Sequence, residues 1–371
     1  MYDVICIGGG LAGLTAAIHL KKEGHSVLVL EKEKYPHHKV CGEYLSKEVL
    51  PYLSFLGVQL PTDIEIDTLR FSTRKGRSLQ TGLPLGAIGI SRYALDFTLY
   101  QHAVKLGVDF YFSTVTTVNF REDQFTVYSN TAGDFQAQYV IGSYGKRSNI
   151  DKGLNREFIK KKSPWLGIKA HYDFPDFPDE QVGLHSFSGG YAGLSKTETG
   201  AVNFCYLVSY KSFQKYQDIH LFNKEVVAQN PVLAEFFEKS TPIFDKPMSI
   251  AQISFESKPS VDNHLLMCGD TAGLIHPLCG NGMAMAIHSA KLASELIHKA
   301  LKKGSSERTQ LEKEYSDVWK KTFGKRIRMG RLLQRLLLSD GVTNLLFSMA
   351  SRSPHLVKLM VRQTHGKPIS L

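Results

Sequence analysis

The chain has 371 residues, of which 43% are hydrophobic and 22% are charged. These fractions are those of a globular protein, so they exclude a disordered chain, a collagen-like fibre and a low-complexity scaffold. The formal charge of +10 suits an acidic partner, although charge alone does not choose between a nucleotide, RNA and a lipid surface.

The first 31 residues predict a strand, a turn, a helix and a second strand. Residues 3–7 and 26–30 are short apolar runs, which are typical of parallel strands buried on both faces. Between them, a glycine turn at 8–13 leads into a helical pattern at 14–22. Parallel strands require a crossover of this kind, so the chain is predicted to begin as a βαβ unit of a parallel sheet.

The rest of the chain contains further strands and helices and one long stretch of different character. The further strand-like runs are residues 108–112, 124–128, 135–141 and 265–268. The helical patterns are residues 91–106, 281–301 and, with a basic composition, the segment from about 306. From about 163 to 257 the sequence alternates between apolar and polar residues, is rich in aromatic side chains and has repeated turns. This stretch predicts a largely antiparallel sheet, interrupted by a helix at 212–228.

The glycine turn matches the pattern G-x-G-x-x-G. Its first glycine permits the tight turn, its second lets a pyrophosphate approach the backbone, and its third lets the helix pack closely on the strand. The helix N-terminus then directs unpaired N–H groups towards the phosphates. Glu31 follows at the end of the second strand, where a carboxylate accepts hydrogen bonds from a ribose 2′-hydroxyl and repels a 2′-phosphate.

These features predict an adenine dinucleotide without a 2′-phosphate, which is FAD or NAD. The alternative is a glycine turn that binds no ligand. The candidate cofactor contacts of this unit are Gly8, Gly10, Leu11, Ala12, Gly13, Glu31 and its neighbour Lys32.

A second group of residues follows the late strand. Residues 268–270 are Cys-Gly-Asp, and residues 277–283 are Pro-Leu-Cys-Gly-Asn-Gly-Met, directly before a helix. Here the sequence resembles the flavoprotein superfamily of aromatic hydroxylases (p-hydroxybenzoate hydroxylase-like) and geranylgeranyl reductases. In that family the equivalent Asp binds the ribityl and pyrophosphate part of FAD, and the P-x-x-G-x-G-M turn brings N–H groups to the flavin ring. A helix N-terminus there stabilises the negative charge of a reduced flavin.

The resemblance therefore implies FAD as the cofactor. It assigns to FAD binding the late residues Asp270, Gly280, Asn281, Gly282 and Met283. Residues 35–43 look like the reductase loop F-P-R-x-K-x-C-G-G, and residues 91–96 look like the family's R-x-x-L/F-D helix, whose arginine, here Arg92, lies close to FAD. We include Val115 as a further candidate contact.

The resemblance covers about residues 1–300 and implies an α/β fold. It predicts a Rossmann-type (glutathione reductase-like) FAD-binding domain, an inserted, mainly antiparallel β-sheet substrate domain and a C-terminal helical segment. The predicted FAD-binding domain is discontinuous and consists of residues 1–60, 88–160 and 257–305. The predicted substrate domain has two pieces, residues 61–87 and 161–256. The basic C-terminal helical segment is residues 306–371.

The family resemblance implies an FAD-dependent oxidoreductase that acts on a hydrophobic substrate. Monooxygenation of an aromatic or polyketide-like molecule and reduction of prenyl C=C bonds both stay open. The alternative is a non-catalytic flavin-binding or membrane-surface interaction protein. No second G-x-G-x-x-G turn is present, so a nicotinamide donor, NADPH or NADH, would visit transiently, or another protein would reduce the flavin.

Three residues are candidates for catalysis. Cys41 lies in the loop that aligns with the flavin-approaching loop of the family, His276 precedes the flavin-facing turn, and Tyr191 belongs to the predicted substrate sheet. Each has a structural alternative, namely a small apolar filler, a structural histidine and an aromatic core residue.

The segment 318–338 has seven basic residues and no acid beside an apolar stripe that 342–350 and 356–361 extend. Such a helix can lie on an anionic membrane, cap the substrate cavity or pack on the core. No nucleic-acid-binding motif accompanies the charge, so no nucleic-acid partner is predicted.

The five cysteines include no C-x-x-C pair, so we expect reduced cysteines and no metal site. No signal peptide or good membrane-spanning helix is found, so we expect a cytoplasmic protein. Contact with a membrane surface stays open.

Overall fold

The structure, a computed structural model, describes residues 1–304, 307–337, 347 and 366–370. Two β-sheets form its framework. The strands, in chain order, are β1 (Tyr2–Ile7), β2 (Val27–Glu31), β3 (Tyr44–Ser46), β4 (Glu65–Ser72), β5 (Ser78–Gly89), β6 (Asp109–Phe112), β7 (Val115–Arg121), β8 (Gln124–Ser129), β9 (Asp134–Gly142), β10 (Trp165–Asp173), β11 (Gln181–Phe187), β12 (Gly190–Lys196), β13 (Val202–Ser209), β14 (Thr241–Pro242), β15 (Met248–Ala251), β16 (Val261–Asp262) and β17 (Leu265–Met267).

The helices lie against these sheets and connect their strands. They are α1 (Leu11–Lys22), α2 (Leu50–Leu56), α3 (Arg92–Lys105), α4 (Asn149–Gly153), α5 (Glu157–Lys160), α6 (Tyr210–Phe213), α7 (Ile219–Glu225), α8 (Pro231–Lys239), α9 (Gly282–Lys303) and α10 (Arg308–Leu337). Short 3₁₀ turns occur at Lys47–Val49, Val227–Gln229, Gly269–Thr271 and Pro277–Cys279.

The first sheet has the strand order β16-β17-β9-β1-β2-β6, and β1 pairs in parallel with both β2 and β9. The inner strands are buried on both faces, which is why their sequences are continuous apolar runs. The predicted βαβ unit is confirmed, because β1, α1 and β2 follow one another and Val4 pairs with Val27. Helix α1 packs between α3 and α9 on this sheet.

The second sheet has the order β14-β10-β13-β12-β11-β4-β5-β3 and is mainly antiparallel. Residues on its strands alternate between two faces, as the period of two requires. On one face Phe204 and Tyr206 pack against Phe222 and Phe236 of the helices α7 and α8. Tyr191 and Leu207 belong to a separate apolar cluster. The predicted fold class, a parallel-sheet FAD-binding fold with a mainly antiparallel sheet and a helical C-terminal segment, is confirmed.

The predicted single helix at 212–228 is wrong. The chain forms the short helices α6 and α7 there, and α8 follows after a 3₁₀ turn. Asp218 starts α7, because its side chain accepts a hydrogen bond from the N–H of Leu221 at 2.6 Å. Asn230 caps α8 in the same way, and Pro231 occupies its first turn. Asp218 therefore divides the predicted helix, whereas Asn230 begins α8 beyond its end.

The long helix α10 packs its apolar side on the first sheet's core. Tyr315, Trp319, Phe323 and Ile327 are buried there, and a Cβ atom on Gly273 would lie 2.9 Å from the Trp319 ring. The basic side of α10 faces outwards. In the described part of the chain no helix combines the length and apolar character that crossing a membrane requires. Apart from Phe347, the predicted extension over 342–350 and 356–361 lies outside the described residues.

Candidate active site

Two glycines of the turn lie in close contact with neighbouring backbone, and a third has open space beside it. Gly8 has φ +98, and a Cβ there would lie 2.6 Å from the carbonyl oxygen of Ser143. A Cβ on Gly13 would collide with the carbonyl oxygen of Gly8. Gly10 differs, because its missing Cβ points to open space near Arg92 and Lys39. The first and third glycines are therefore needed for packing, and the second leaves room for a ligand.

The early and late segments line one cavity of about 290 Å³. Of the candidate residues named from the sequence, its lining includes Gly10, Leu11, Ala12, Cys41, Arg92, Tyr191, Asp270, Gly280, Asn281, Gly282 and Met283. Two parts of the chain some 260 residues apart in sequence thus face the same space. This convergence is the geometry that a single extended cofactor requires.

Two cations stand above the glycine turn and share one carboxylate. Arg92 donates from Nε and Nη2 to the two carboxylate oxygens of Asp96, both at 2.7 Å, and Lys39 Nζ lies 2.9 Å from the same group. Burial by itself would raise the pKa of Asp96, but the charges of Arg92 and Lys39 outweigh it and lower that pKa. One positive charge is left uncompensated within this triad, close to Gly10, where it suits a phosphate group.

Glu31 lies at the carboxyl edge of β2, beside the glycine turn. Its carboxylate accepts backbone N–H groups from Gly9 at 2.7 Å, Lys32 at 2.8 Å and Glu33 at 3.1 Å. A carboxylate has further lone pairs, so these bonds are compatible with a ribose hydroxyl as an additional donor. Lys32 exposes its side chain, and Val115 is buried in the core just beyond β6. None of these three residues contributes to the cavity lining, and their contact with FAD stays a prediction.

The turn that carries Asp270 is held by buried cations that sequence patterns did not reveal. Lys258 Nζ donates to the carbonyl oxygen of Asp270 at 2.8 Å and to that of Lys146 at 3.1 Å. Arg156 donates to the carbonyl oxygen of Thr271 at 3.0 Å. Burial lowers the pKa of Lys258 to about 8, although the charge of Asp270 opposes this shift. Lys258 and Arg156 therefore fix the backbone of this turn through its carbonyl oxygens. Asp270 itself lines the cavity.

The glycine turn at residues 280–283 is held in place by the buried side chain of Glu48. The Asn281 side chain, directly before α9, hydrogen-bonds to the buried Glu48, whose carboxylate also lies 3.1 Å from Arg326 of α10. Gly280 has φ +61, and a Cβ there would lie 2.9 Å from the ring of Tyr44. These contacts place the N-terminus of α9 at the cavity.

The three catalytic candidates occupy different positions. Cys41 and Tyr191 line the cavity, whereas His276 does not. His276 lies behind Tyr191, with Nδ1 3.2 Å from the tyrosine oxygen and its ring 4.6 Å from that of Phe255. Burial lowers the pKa of His276 to about 3, so its imidazole is neutral near pH 7. His276 could therefore act on a substrate only indirectly, through its contact with Tyr191. The catalytic roles of all three residues stay predictions.

The cavity fits FAD on the structure's own terms. The side of Gly10 that a Cβ would occupy is open, two cations flank it, and a helix N-terminus meets the same space at the other end. Gly10 and Arg92 would hold the pyrophosphate end. Gly8 and Gly13 do not line the cavity and shape the turn instead, so their predicted contact with FAD stays a prediction. The turn 280–283 would face the flavin ring, where FAD supplies the hydride chemistry.

Comparison with known proteins agrees with this fit. Residues 1–318 match the FAD binding domain family, so the chain belongs to that family. It is an FAD-dependent oxidoreductase, and FAD is its cofactor. The resemblance to geranylgeranyl reductases and aromatic hydroxylases is confirmed, and the alternative of a non-catalytic protein is not favoured.

Individual relatives point in the same direction. A digeranylgeranylglycerophospholipid reductase of Methanosarcina acetivorans is 24% identical over 359 residues, which cover 91% of this chain and 85% of the relative. The flavin-dependent brominase Bmp2 has a TM-score of 0.78 at 18% identity, covering 98% of this chain and 93% of the brominase. A geranylgeranyl bacteriochlorophyll reductase-like protein from Thermoplasma acidophilum has a TM-score of 0.73 at 20% identity, covering 99% and 92%. At these identities the structural likeness shows the fold alone.

Proposed function

We propose that this oxidoreductase reduces a carbon–carbon double bond of a prenyl-type hydrocarbon chain. The observation that carries the proposal is the division of the cavity into two halves. The half formed by the first sheet has glycine turns and charged residues, whereas the half formed by the second sheet and its neighbours is mainly apolar. The apolar lining includes Leu69, Leu83, Val182, Leu184, Leu207 and Ile253. A long hydrocarbon gains free energy by burial against such a surface.

Relatives support the choice of reaction. The relative from Methanosarcina acetivorans carries a name that states reduction of a prenylated glycerophospholipid. The brominase carries a name for a different reaction at a similar fold, so the fold does not select between them. The segment 190–196 of this chain lacks the tryptophan and proline of the halogenase motif W-x-W-x-I-P, which argues strongly against halogenation. The reductase motif Y-x-W-x-F-P has the same two residues, so their absence also argues, less strongly, against a strict polyprenyl reductase.

The residues have distinct proposed roles. Bound FAD would supply hydride chemistry to one carbon of the double bond, and the other carbon would need a proton. Tyr191 would donate that proton; its position in the cavity lining and the contact of its hydroxyl with His276 support this role. A proton from solvent then restores the hydroxyl. Cys41 also lines the cavity, on the loop next to strand β13 of the second sheet, where it would position the chain.

The electron donor and the membrane are further parts of the proposal. NADPH or NADH would reduce the flavin transiently, or a redox protein would do so. A prenyl lipid resides in a membrane, and α10 exposes Lys320, Lys321, Lys325 and Arg328 on one side. These residues would contact anionic lipid. If they do, replacing the three lysines by glutamate abolishes co-sedimentation of the protein with anionic liposomes. Undiminished co-sedimentation of that variant would remove the membrane contact from the proposal.

The reaction is tested without oxygen. The FAD-loaded enzyme is reduced anaerobically and mixed with a lipid that has geranylgeranyl chains, and its fully saturated counterpart serves as the control. We expect the flavin absorption to return with the unsaturated lipid only, and each product to gain two hydrogens per reduced double bond. Reoxidation that requires oxygen, with products that gain an oxygen atom, would instead establish monooxygenation.

A further inference from the structure

A second cavity, of about 670 Å³, lies beside the loop formed by residues 36–43. The loop separates the two spaces: residues 40–43 line the FAD cavity, and His38 lines the second one. The second cavity is also lined by His171, Tyr93 and Phe244 and by two acidic residues, Asp173 and Glu198. Nothing in the proposed reaction uses this space.

Three potential metal ligands meet at the wall between the cavities. His38, Glu43 and His171 each offer one ligand atom, and these atoms lie within 4.8 Å of one another. His171 Nε2 is 2.7 Å from Glu43 Oε2, so these two are already close. The Nδ1 atom of His38 is buried and has no hydrogen-bond partner among the described residues.

The backbone at Glu43 is unusual for its residue type. Glu43 has φ +53, in the left-handed region that disfavours a side chain, at a position where the resembling loop C-G-G has glycine. Its side chain is completely buried. Backbone strain and the burial of a carboxylate both cost free energy. Their combination at Glu43 indicates that its carboxylate has a functional role between the two cavities.

The surroundings of the carboxylate leave one of its oxygens for a metal. Lys169 Nζ and the backbone N–H of Arg92 both donate to Oε1, and His171 approaches Oε2. The buried Lys169 already compensates the charge of Glu43. Hard ions such as Mg²⁺ or Ca²⁺, which rely on carboxylate charge, gain little there. An ion that prefers imidazole nitrogen is favoured instead.

We propose that His38, Glu43 and His171 form a Zn²⁺ site, with water from the second cavity as the fourth ligand. Donor atoms about 2.1 Å from a tetrahedral zinc ion lie about 3.4 Å apart. His171 Nε2 and Glu43 Oε2, which are 2.7 Å apart, therefore separate by about 0.7 Å when the ion enters, and a movement of the half-buried His38 ring completes the shell. The ion takes the place of the proton between His171 Nε2 and Glu43 Oε2, and the imidazole of His171 then carries its proton on Nδ1. It fastens the loop 36–43, which carries Cys41 and Lys39 on its other side, to strand β10.

The experiment uses the FAD-loaded full chain and Zn²⁺ alone as the probe. Protein is stripped with a chelator, titrated with Zn²⁺ by calorimetry and analysed for metal after dialysis. The variants are His38→Ala and His171→Gln, and His37→Ala is the matched control, because this neighbouring histidine is outside the cluster. The FAD absorption spectrum of each variant shows whether it is folded.

We expect one tightly bound zinc per chain in the wild type and in His37→Ala. We expect loss of that stoichiometric binding in His38→Ala and His171→Gln with the FAD spectrum retained. The site assignment is overturned if the wild type takes up no stoichiometric zinc, or if folded His38→Ala and His171→Gln bind it as the wild type does. The cluster is then a hydrogen-bonded network that only joins the loop to the sheet.

Discussion

The guanidinium of Arg92 faces Gly10: a Cβ atom on Gly10 would lie 3.6 Å from Arg92 Nη2. Arg92 is held in this place by the two-pronged ion pair with Asp96, one helical turn further along α3. The cation is therefore in position before any cofactor binds, and no side-chain ordering is needed when a phosphate arrives.

Replacing Gly10 by valine tests the open side of the glycine turn. The added side chain occupies the space beside Arg92 that we assign to the pyrophosphate, so FAD binding is expected to be lost. FAD affinity is measured by titration of the flavin-free protein. Gly324→Val is the control, because a Cβ at Gly324 meets no atom within 4 Å and the residue is on α10. Equal FAD affinity of the two variants would contradict the assignment.

Replacing Asp270 by alanine tests the late segment. Hydrogen bonds to a charged carboxylate contribute about 1.5–3 kcal/mol each, so FAD affinity is expected to fall roughly 10- to 150-fold for each bond lost. The backbone should keep its place, because Lys258 and Arg156 hold it through carbonyl oxygens. The same titration measures the effect, with the exposed Asp176→Ala as the control. An unchanged affinity would make Asp270 a purely structural residue.

Replacing Tyr191 by phenylalanine separates chemistry from cofactor binding. The variant keeps the ring in the cavity and removes the hydroxyl, so FAD affinity should stay and the anaerobic reoxidation rate should fall. General acid–base groups contribute about 10²- to 10⁴-fold to a rate. The rate is followed at 450 nm, and the exposed Tyr210→Phe is the control. A rate equal to that of the wild type would exclude Tyr191 as the proton donor.

His276 makes stability depend on pH. Burial lowers its pKa to about 3, whereas the unfolded chain has a histidine pKa near 6.5. The unfolded state therefore binds more protons between these values, and the stabilising contribution of the neutral folded form, present above pH 6.5, is lost as the pH falls towards 3. Between pH 7 and pH 5 the loss is about 2 kcal/mol.

His276→Gln keeps a hydrogen-bonding group next to Tyr191 and removes the titration. Urea unfolding at pH 7 and pH 5 should show that the variant loses about 2 kcal/mol less than the wild type over this interval. The other buried histidines titrate equally in both proteins and cancel in the comparison. Identical losses would mean that His276 is not buried as a neutral group.

The parts of the fold that were predictable are those with local causes. The apolar runs of β1 and β2 and the glycines between them depend on neighbours in sequence, and they define the βαβ unit. The prediction of one helix at 212–228 is wrong because the N-cap Asp218 begins a new helix within the segment. Periodicity does not register such caps.

The supporting residues of the site depend on contacts between distant segments. Glu48 and Asn281 are more than 230 positions apart, and Lys258 meets Lys146 across more than 100. No local pattern marks these residues, since their role arises only when the two segments close on one cavity. Part of the cavity lining was predictable: Gly10 from the glycine pattern, and Asp270 and residues 280–283 from the family resemblance. Glu31, which the glycine pattern also predicts as a contact, does not line the cavity, and no motif marked the apolar lining.

Diffraction from crystals of the FAD-loaded protein measures the central claim most directly. We predict one FAD per chain, with its pyrophosphate against Gly10 and Arg92 and its flavin ring against residues 280–283, facing Cys41 and the second sheet. An FAD molecule outside this cavity, or a ring directed away from the turn 280–283, would contradict the account.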